Sequence, residues 1–351
     1  MQAIESVGLN SYREIRDYLD LAKNIADKDG DNDLKYALSM TKRIKTVIPK
    51  LPLTEDLNEL YWETMLFEAP HLFESFLYYM EKNRRPSKRF YQPRRRTLKV
   101  VVDDLQDLED GLLEFYGLSM PPRVGKSTIC IFFIAWVIGR HPDSHNAMSG
   151  HSGVLAERFY NDAFKLTQNE EYTFKEIFPD SELVNKSAEN KELWYSGTEA
   201  FATLTCRGID GTWTGAVDVS SDGYLYVDDM VRDRTESLSP RRLEKRYQDY
   251  LNVLVDRKND GSKELMVGTR WNVLDPLGRV EAENKGNPKY RFRKIPALNE
   301  KGESNFQYDY GKGFSTKHYL KLKKRLDKNE WEAKYQQNPF VREGLLFAAD
   351  E

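Results

Sequence analysis

Apolar positions fall into different regimes along the chain. Up to about residue 82 they recur at helical spacing. Leu57, Leu60, Tyr61, Met65, Phe67 and Leu72 form one amphipathic stretch, preceded by Thr54, whose hydroxyl suits a helix N-terminus. From about 86 to 300, short apolar runs alternate with longer helical patterns, which predicts a parallel α/β sheet. The runs at 115–119, 146–149, 201–205, 224–227, 265–268 and 292–295 are the predicted strands. Residues 129–138 are almost continuously apolar, as in a helix buried against such a sheet. Beyond 300 the chain is polar, then helical over 317–336. The pattern therefore predicts a helical region at 1–85, an α/β core at 86–300 and a C-terminal lid or linker at 301–351, with no internal repeat.

The chemistry concentrates at the ends of three predicted strands. The first runs into Met-Pro-Pro-Arg-Val-Gly-Lys-Ser-Thr at 120–128, a P-loop sequence between a strand and a helix. Pro122, Arg123, Val124, Gly125, Lys126, Ser127 and Thr128 would cradle the phosphates of ATP. Lys126 reaches the β- and γ-phosphates, Ser127 offers a hydroxyl to Mg²⁺, and backbone N–H groups at the helix N-terminus stabilise the anionic oxygens. The loop departs from the usual pattern in opening with Met120 in place of Gly, and Gly-Lys-Ser-Thr alone also begins ordinary helices.

The second strand, 224–227, ends in Asp228-Asp229. A parallel sheet presents ligands at its C-terminal edge, so Asp228 is the candidate Mg²⁺ carboxylate and Asp229 the candidate group for polarising the attacking water. Such a pair also starts turns and caps helices. The third strand ends in Thr269-Arg270-Trp271, placing a hydroxyl and a guanidinium where loss of the γ-phosphate is sensed. Taken in order, the three segments point to a motor-type ATPase with an additional-strand (RecA-like) P-loop fold.

Composition narrows the setting. The 351 residues are 31% charged with a net charge of -3, and the mean hydropathy is -0.69, which predicts a soluble protein. No apolar run reaches the ~18 residues of a membrane span, and the N-terminus has no signal-peptide core. Two cysteines, Cys130 and Cys206, form no metal or disulfide pattern and read as buried thiols. Charge is segregated along the chain: 82–99 holds nine Lys/Arg and no acid, and an acidic run at 103–110 follows. Arg94, Arg95 and Arg96 either track a nucleic-acid backbone or belong to a solvated linker paired with those acids.

At this point the sequence resembles the large subunit of tailed-bacteriophage terminases, ATP-driven motors that pump double-stranded DNA into a procapsid. The resemblance runs from about 86 to 348. Its markers are the loop at 121–127, Phe-Pro-Asp at 178–180, the Gly211 to Gly215 segment, Val-Asp-Asp at 227–229 and Gly-Thr-Arg-Trp at 268–271. Gly278-Arg279, Ile-Pro-Ala at 295–297, Tyr-Gln-Gln-Asn-Pro at 335–339 and Glu343-Gly344 follow.

The resemblance implies ATP and Mg²⁺ as cofactors, and catalytic roles for Lys126, Asp229 and the loop arginine Arg123. Asp229 stands where many such motors have glutamate, so Glu236 is the alternative catalytic carboxylate. Thr269 and Arg270 fall on the segment coupling hydrolysis to movement, and Gln92 is the candidate adenine reader. Arg257, Arg270 and Arg279 are candidates for an arginine finger acting on a neighbouring subunit. The implied partners are duplex DNA, a portal, a small subunit and further copies in a ring, in the cytoplasm of an infected bacterium. The family continues into a nuclease domain. Here no later strand carries nuclease carboxylates, so ATP hydrolysis without DNA cleavage is expected. The other readings are a helicase-like translocase and a nucleotide-gated adaptor that binds ATP without turning it over.

Overall fold

The computed structural model describes residues 8–340 apart from 29 and 53. The Glu343-Gly344 marker lies outside these residues. Two compact units meet between Lys82 and Asn83. The first contains α1 (Tyr12–Ala26), α2 (Asp31–Val47), α3 (Glu55–Glu68) and α4 (Phe73–Met80). Ser11 and Glu14 cap α1 reciprocally, and Thr54 caps α3 by accepting from the Leu57 N–H. Ile15, Leu19, Met40, Ile44, Leu57 and Leu60 interlock as its core.

The second unit begins with α5 (Tyr91–Glu109), followed by β1 (Phe115–Ser119), α6 (Lys126–Arg140), β2 (Asn146–Gly150), α7 (Gly153–Gln168) and α8 (Phe174–Ile177). A hairpin of β3 (Leu183–Ser187) and β4 (Glu192–Tyr195) leads to β5 (Leu204–Gly208) and β6 (Tyr224–Asp228). Then come α9 (Arg234–Ser237), α10 (Pro240–Asp249), β7 (Lys263–Gly268), α11 (Pro276–Glu283), β8 (Tyr290–Lys294), α12 (Thr316–Lys323) and α13 (Lys328–Glu330). The strands form one sheet in the order β3-β4-β5-β2-β6-β7-β1-β8. From β5 to β8 every pairing is parallel, and β4 alone runs antiparallel to its neighbours, β3 and β5.

β1, β2 and β6 are buried at every position, as strands covered on both faces must be, and α6 buries twelve of its fifteen residues beside them. None of the described helices is long and apolar enough to cross a membrane, and both cysteines are buried and unpaired.

Several sequence expectations need correction. The fifth strand starts at Leu204 rather than at 201, because Thr203 is occupied at its entrance: its hydroxyl donates to the Pro142 carbonyl and accepts from the Tyr195 N–H. The β3/β4 hairpin escaped the pattern because most of β3 faces solvent, Val184 included. The helix expected over 317–336 breaks after Lys323, and Asp327 caps a new turn. The basic stretch is no linker, since residues from Tyr91 onward form α5. Nor is the acidic run neutralised mainly by it: Asp104 and Asp107 pair with Arg291 and Arg293 of β8.

Candidate functional site

Register brings the C-terminal ends of the parallel strands level. Ser119 pairs with Gly268, Asp228 with Val267, and Gly150 with Asp228. The three chemistry-bearing segments therefore meet along one sheet edge, with the N-terminus of α6 pointing at it. β7 lies between β1 and β6, which is the insertion that defines the additional-strand P-loop class.

Met120 at the head of the loop is fully buried and extends β1, its N–H donating to the Gly268 carbonyl. An apolar residue serves there because the backbone still pairs as strand. Gly125 has φ 105° and caps α6, and a Cβ on it would lie 2.9 Å from the Phe90 ring. Both the left-handed backbone and the close approach require glycine. Arg123 also lies in the left-handed region, with φ 66°, and its side chain is exposed. Ser127 and Thr128 follow in the first turn of α6 and are partly buried.

Lys126, buried at 5% exposure, is the hub. Its Nζ donates to Thr269 Oγ1 at 2.8 Å and pairs with Asp229 Oδ2 at 2.9 Å. Asp229 adopts φ 45° and is held at four points. Its N–H donates to the Val267 carbonyl, its Oδ1 accepts from the Thr269 N–H at 2.9 Å, its Oδ2 meets Lys126, and its carbonyl accepts from His151 Nδ1 at 2.8 Å. A carbonyl accepts only, so the His151 Nδ1 carries the proton.

Asp228 is the unusual group. It is 1% exposed, and neither carboxylate oxygen has a partner in hydrogen-bond geometry, although the Ser127 and Tyr226 hydroxyls are close enough to lower its pKa. Burial, and then the negative charge of Asp229, push its pKa above the ordinary carboxylate value against the pull of Lys126. A buried carboxylate left without partners beside a P-loop serine suits a hard, oxygen-seeking cation.

Glu236 is committed elsewhere. It accepts from the Arg232 N–H and from Arg246 Nε, each at 2.7 Å, so Asp229 is the acid that stands at Lys126. Arg270 is also committed: at 4% exposure it pairs with Asp275 at 3.1 Å and with Glu281 at 2.9 Å. This removes it as a finger candidate, because a finger must reach a neighbouring subunit. Its N–H donates to Gln337 Oε1, which fastens the segment after β7 to the C-terminal part of the chain.

Arg279 is paired with Glu244 at 2.6 Å. Arg257 lies before β7, at the edge of the sheet opposite the loop, where its carbonyl accepts from the Val219 N–H. Gln92 stands in the first turn of α5 and accepts from Arg89 at 2.6 Å. Arg94 turns inward, its guanidinium over the Phe90 and Tyr308 rings, whereas Arg95 and Arg96 are exposed.

His151 and Gln337 had no catalytic signature in the sequence. The only sequence signal available for His151 is its place just after a strand end.

The fold and this edge define an α/β protein of the additional-strand P-loop class. Among solved structures, the chain is similar to the HK97 bacteriophage large terminase, at 14% identity and a TM-score of 0.48, covering 76% of this chain and 55% of that one. It is also similar to an ATPase-domain mutant of the Thermus phage P74-26 large terminase, at 12% identity and a TM-score of 0.41, covering 73% of this chain and 100% of that one. The chain thus spans just over half the length of the HK97 protein. No family model matches it, and no curated protein does so significantly. Likenesses this distant carry no argument about activity, which has to come from the residues in the cleft.

Proposed function

We propose that this chain is an ATP-hydrolysing motor of the terminase large-subunit kind, which moves double-stranded viral DNA into a procapsid in the cytoplasm of an infected bacterium. The observation that carries the ATPase reading is the partnerless, buried Asp228 carboxylate beside the Lys126–Asp229–Thr269 triangle at the head of α6. Asp228 and Ser127 would hold Mg²⁺, which when bound neutralises phosphate charge.

Lys126 exchanges Asp229 and Thr269 for the β- and γ-phosphates. That exchange frees one oxygen of Asp229 to orient the attacking water while Thr269 and His151 keep the residue in place. Thr269 loses its lysine partner at the same moment, so the segment from Thr269 to Arg270 registers nucleotide occupancy. Duplex DNA, a portal, a small subunit and a ring of copies are the partners this reading requires, and Arg257 and Arg279 remain its finger candidates.

The test is Mg²⁺-dependent ATP hydrolysis against protein concentration, with and without duplex DNA, for the wild type and Lys126→Ala. Turnover lost in the variant and rising more than linearly with concentration supports a motor completed by a neighbour. Tight ATP binding without turnover, persisting when procapsids are added, favours the adaptor.

A further inference from the structure

Residues 312–325 contain six Lys/Arg and no acid. They include α12, whose Tyr319 is 1% exposed and packs against Phe314, Trp331 and Tyr335. That contact fixes which side of the helix faces inward. On the other side Lys317, Lys321 and Lys324 follow one another at i, i+4 and i+7, with Arg325 beside them, all exposed. A rise of ~1.5 Å per residue sets successive cations about 4.5–6 Å apart along the helix.

Several cations elsewhere in this unit are matched. Lys245 pairs with Asp249, Arg279 with Glu244, and Lys294 with Glu281. The first two acids after α12 in the chain, Asp327 and Glu330, are both held by Arg234. Lys323 lies over the Trp331 ring. Lys317, Lys321, Lys324 and Arg325 have no ion pair among the described residues.

We propose that this face of α12 is a docking surface for the phosphate backbone of duplex DNA. Four cations without ion pairs, two on α12, one at its C-cap and one just past it, match a row of phosphates, and neutralising them releases counterions. The stripe carries no aromatic residue for stacking unpaired bases, and Leu320 alone gives too little apolar surface to enter a bilayer. The proposal rests on the DNA part of the function proposed above and not on hydrolysis.

The experiment is fluorescence anisotropy of a labelled duplex with the full chain, without nucleotide, across a KCl series. The comparison is between wild type and a variant carrying Lys317→Ala, Lys321→Ala, Lys324→Ala and Arg325→Ala. Each lost phosphate contact removes about 0.9 from the slope of log K against log salt, so the variant should be flatter by roughly 3–4 and more than about tenfold weaker at low salt. Its melting temperature should be unchanged, because the four side chains are exposed, and Lys→Arg replacements should restore binding.

An unchanged slope overturns the proposal, as does a wild type that prefers single strands or binds no duplex at low salt. A loss of binding confined to Arg95→Glu with Arg96→Glu, the α12 variant being normal, overturns it too. ATP affinity measured on the same samples reports separately on the nucleotide reading.

Discussion

At the residue scale, Lys126 and Asp229 are separable by experiment. Lys126→Ala should abolish both ATP binding and turnover, whereas Asp229→Asn keeps Oδ1 as an acceptor for the Thr269 N–H and should bind ATP. Its turnover should drop about 10²–10⁴-fold, the usual contribution of a positioned acid or base. Normal hydrolysis by Asp229→Asn would remove Asp229 from the mechanism. His151 acts one step further back, on the backbone that carries that carboxylate in an unfavourable conformation. His151→Ala should therefore lower kcat about tenfold or more with the ATP Kd unchanged, and His151→Asn, which can still donate to the carbonyl, should recover part of it. A matched loss in Kd would show that the histidine shapes the pocket instead. Lys126, Ser127, Asp228 and Asp229 were legible because they lie in two short contiguous segments. His151 was not, since it meets Asp229 only because β2 and β6 are neighbours.

At the element scale, the packing of α6 sets a sharp limit. A Cβ on Gly139 would come within 2.1 Å of the Phe178 ring. Alanine favours a helix over glycine by about 1 kcal/mol, yet here overpacking should win, for a net loss of about 1–3 kcal/mol. A lowered melting temperature for Gly139→Ala, partly recovered by adding Phe178→Leu, is the expected result, and a stabilised single variant would contradict it. The strands were read well where both faces are buried: β1 has the expected limits, and β2 and β6 differ by one residue at the end. The edge hairpin was missed because a solvent-facing strand has no continuous apolar signal. The long C-terminal helix was over-read, because its periodicity persists across the break after Lys323 that Asp327 then caps.

At the scale of the whole unit, Glu109 joins the end of α5 to α6, β6 and β7, at the sheet edge away from the site. Burial opposes its ionisation, but hydrogen bonding by His141, the charges of Arg140 and Lys263 and the Tyr224 hydroxyl prevail, so its pKa falls from 4.5 to about 2. A folded-state pKa below the unfolded one stabilises above the unfolded value, and that stability disappears as pH falls through the folded value. The urea midpoint of the wild type should thus drop between pH 4.5 and about 2, and Glu109→Gln should show a shallower drop over the same window. Equal slopes would refute the clamp.

The α/β P-loop architecture and the three strand ends bearing the chemistry were determined by the sequence alone, since hydrophobic period and loop chemistry are local and need no knowledge of neighbours. Tertiary structure alone decided that Arg270 is sealed by Asp275 and Glu281, that Arg94 turns to Phe90 and Tyr308, that Asp104 is neutralised by Arg291 and Arg293, and that α12 keeps its cations unmatched. Most of these pairings join residues far apart in the chain. Whether a charge is buried, paired or free depends on which strands and helices the sheet order makes adjacent.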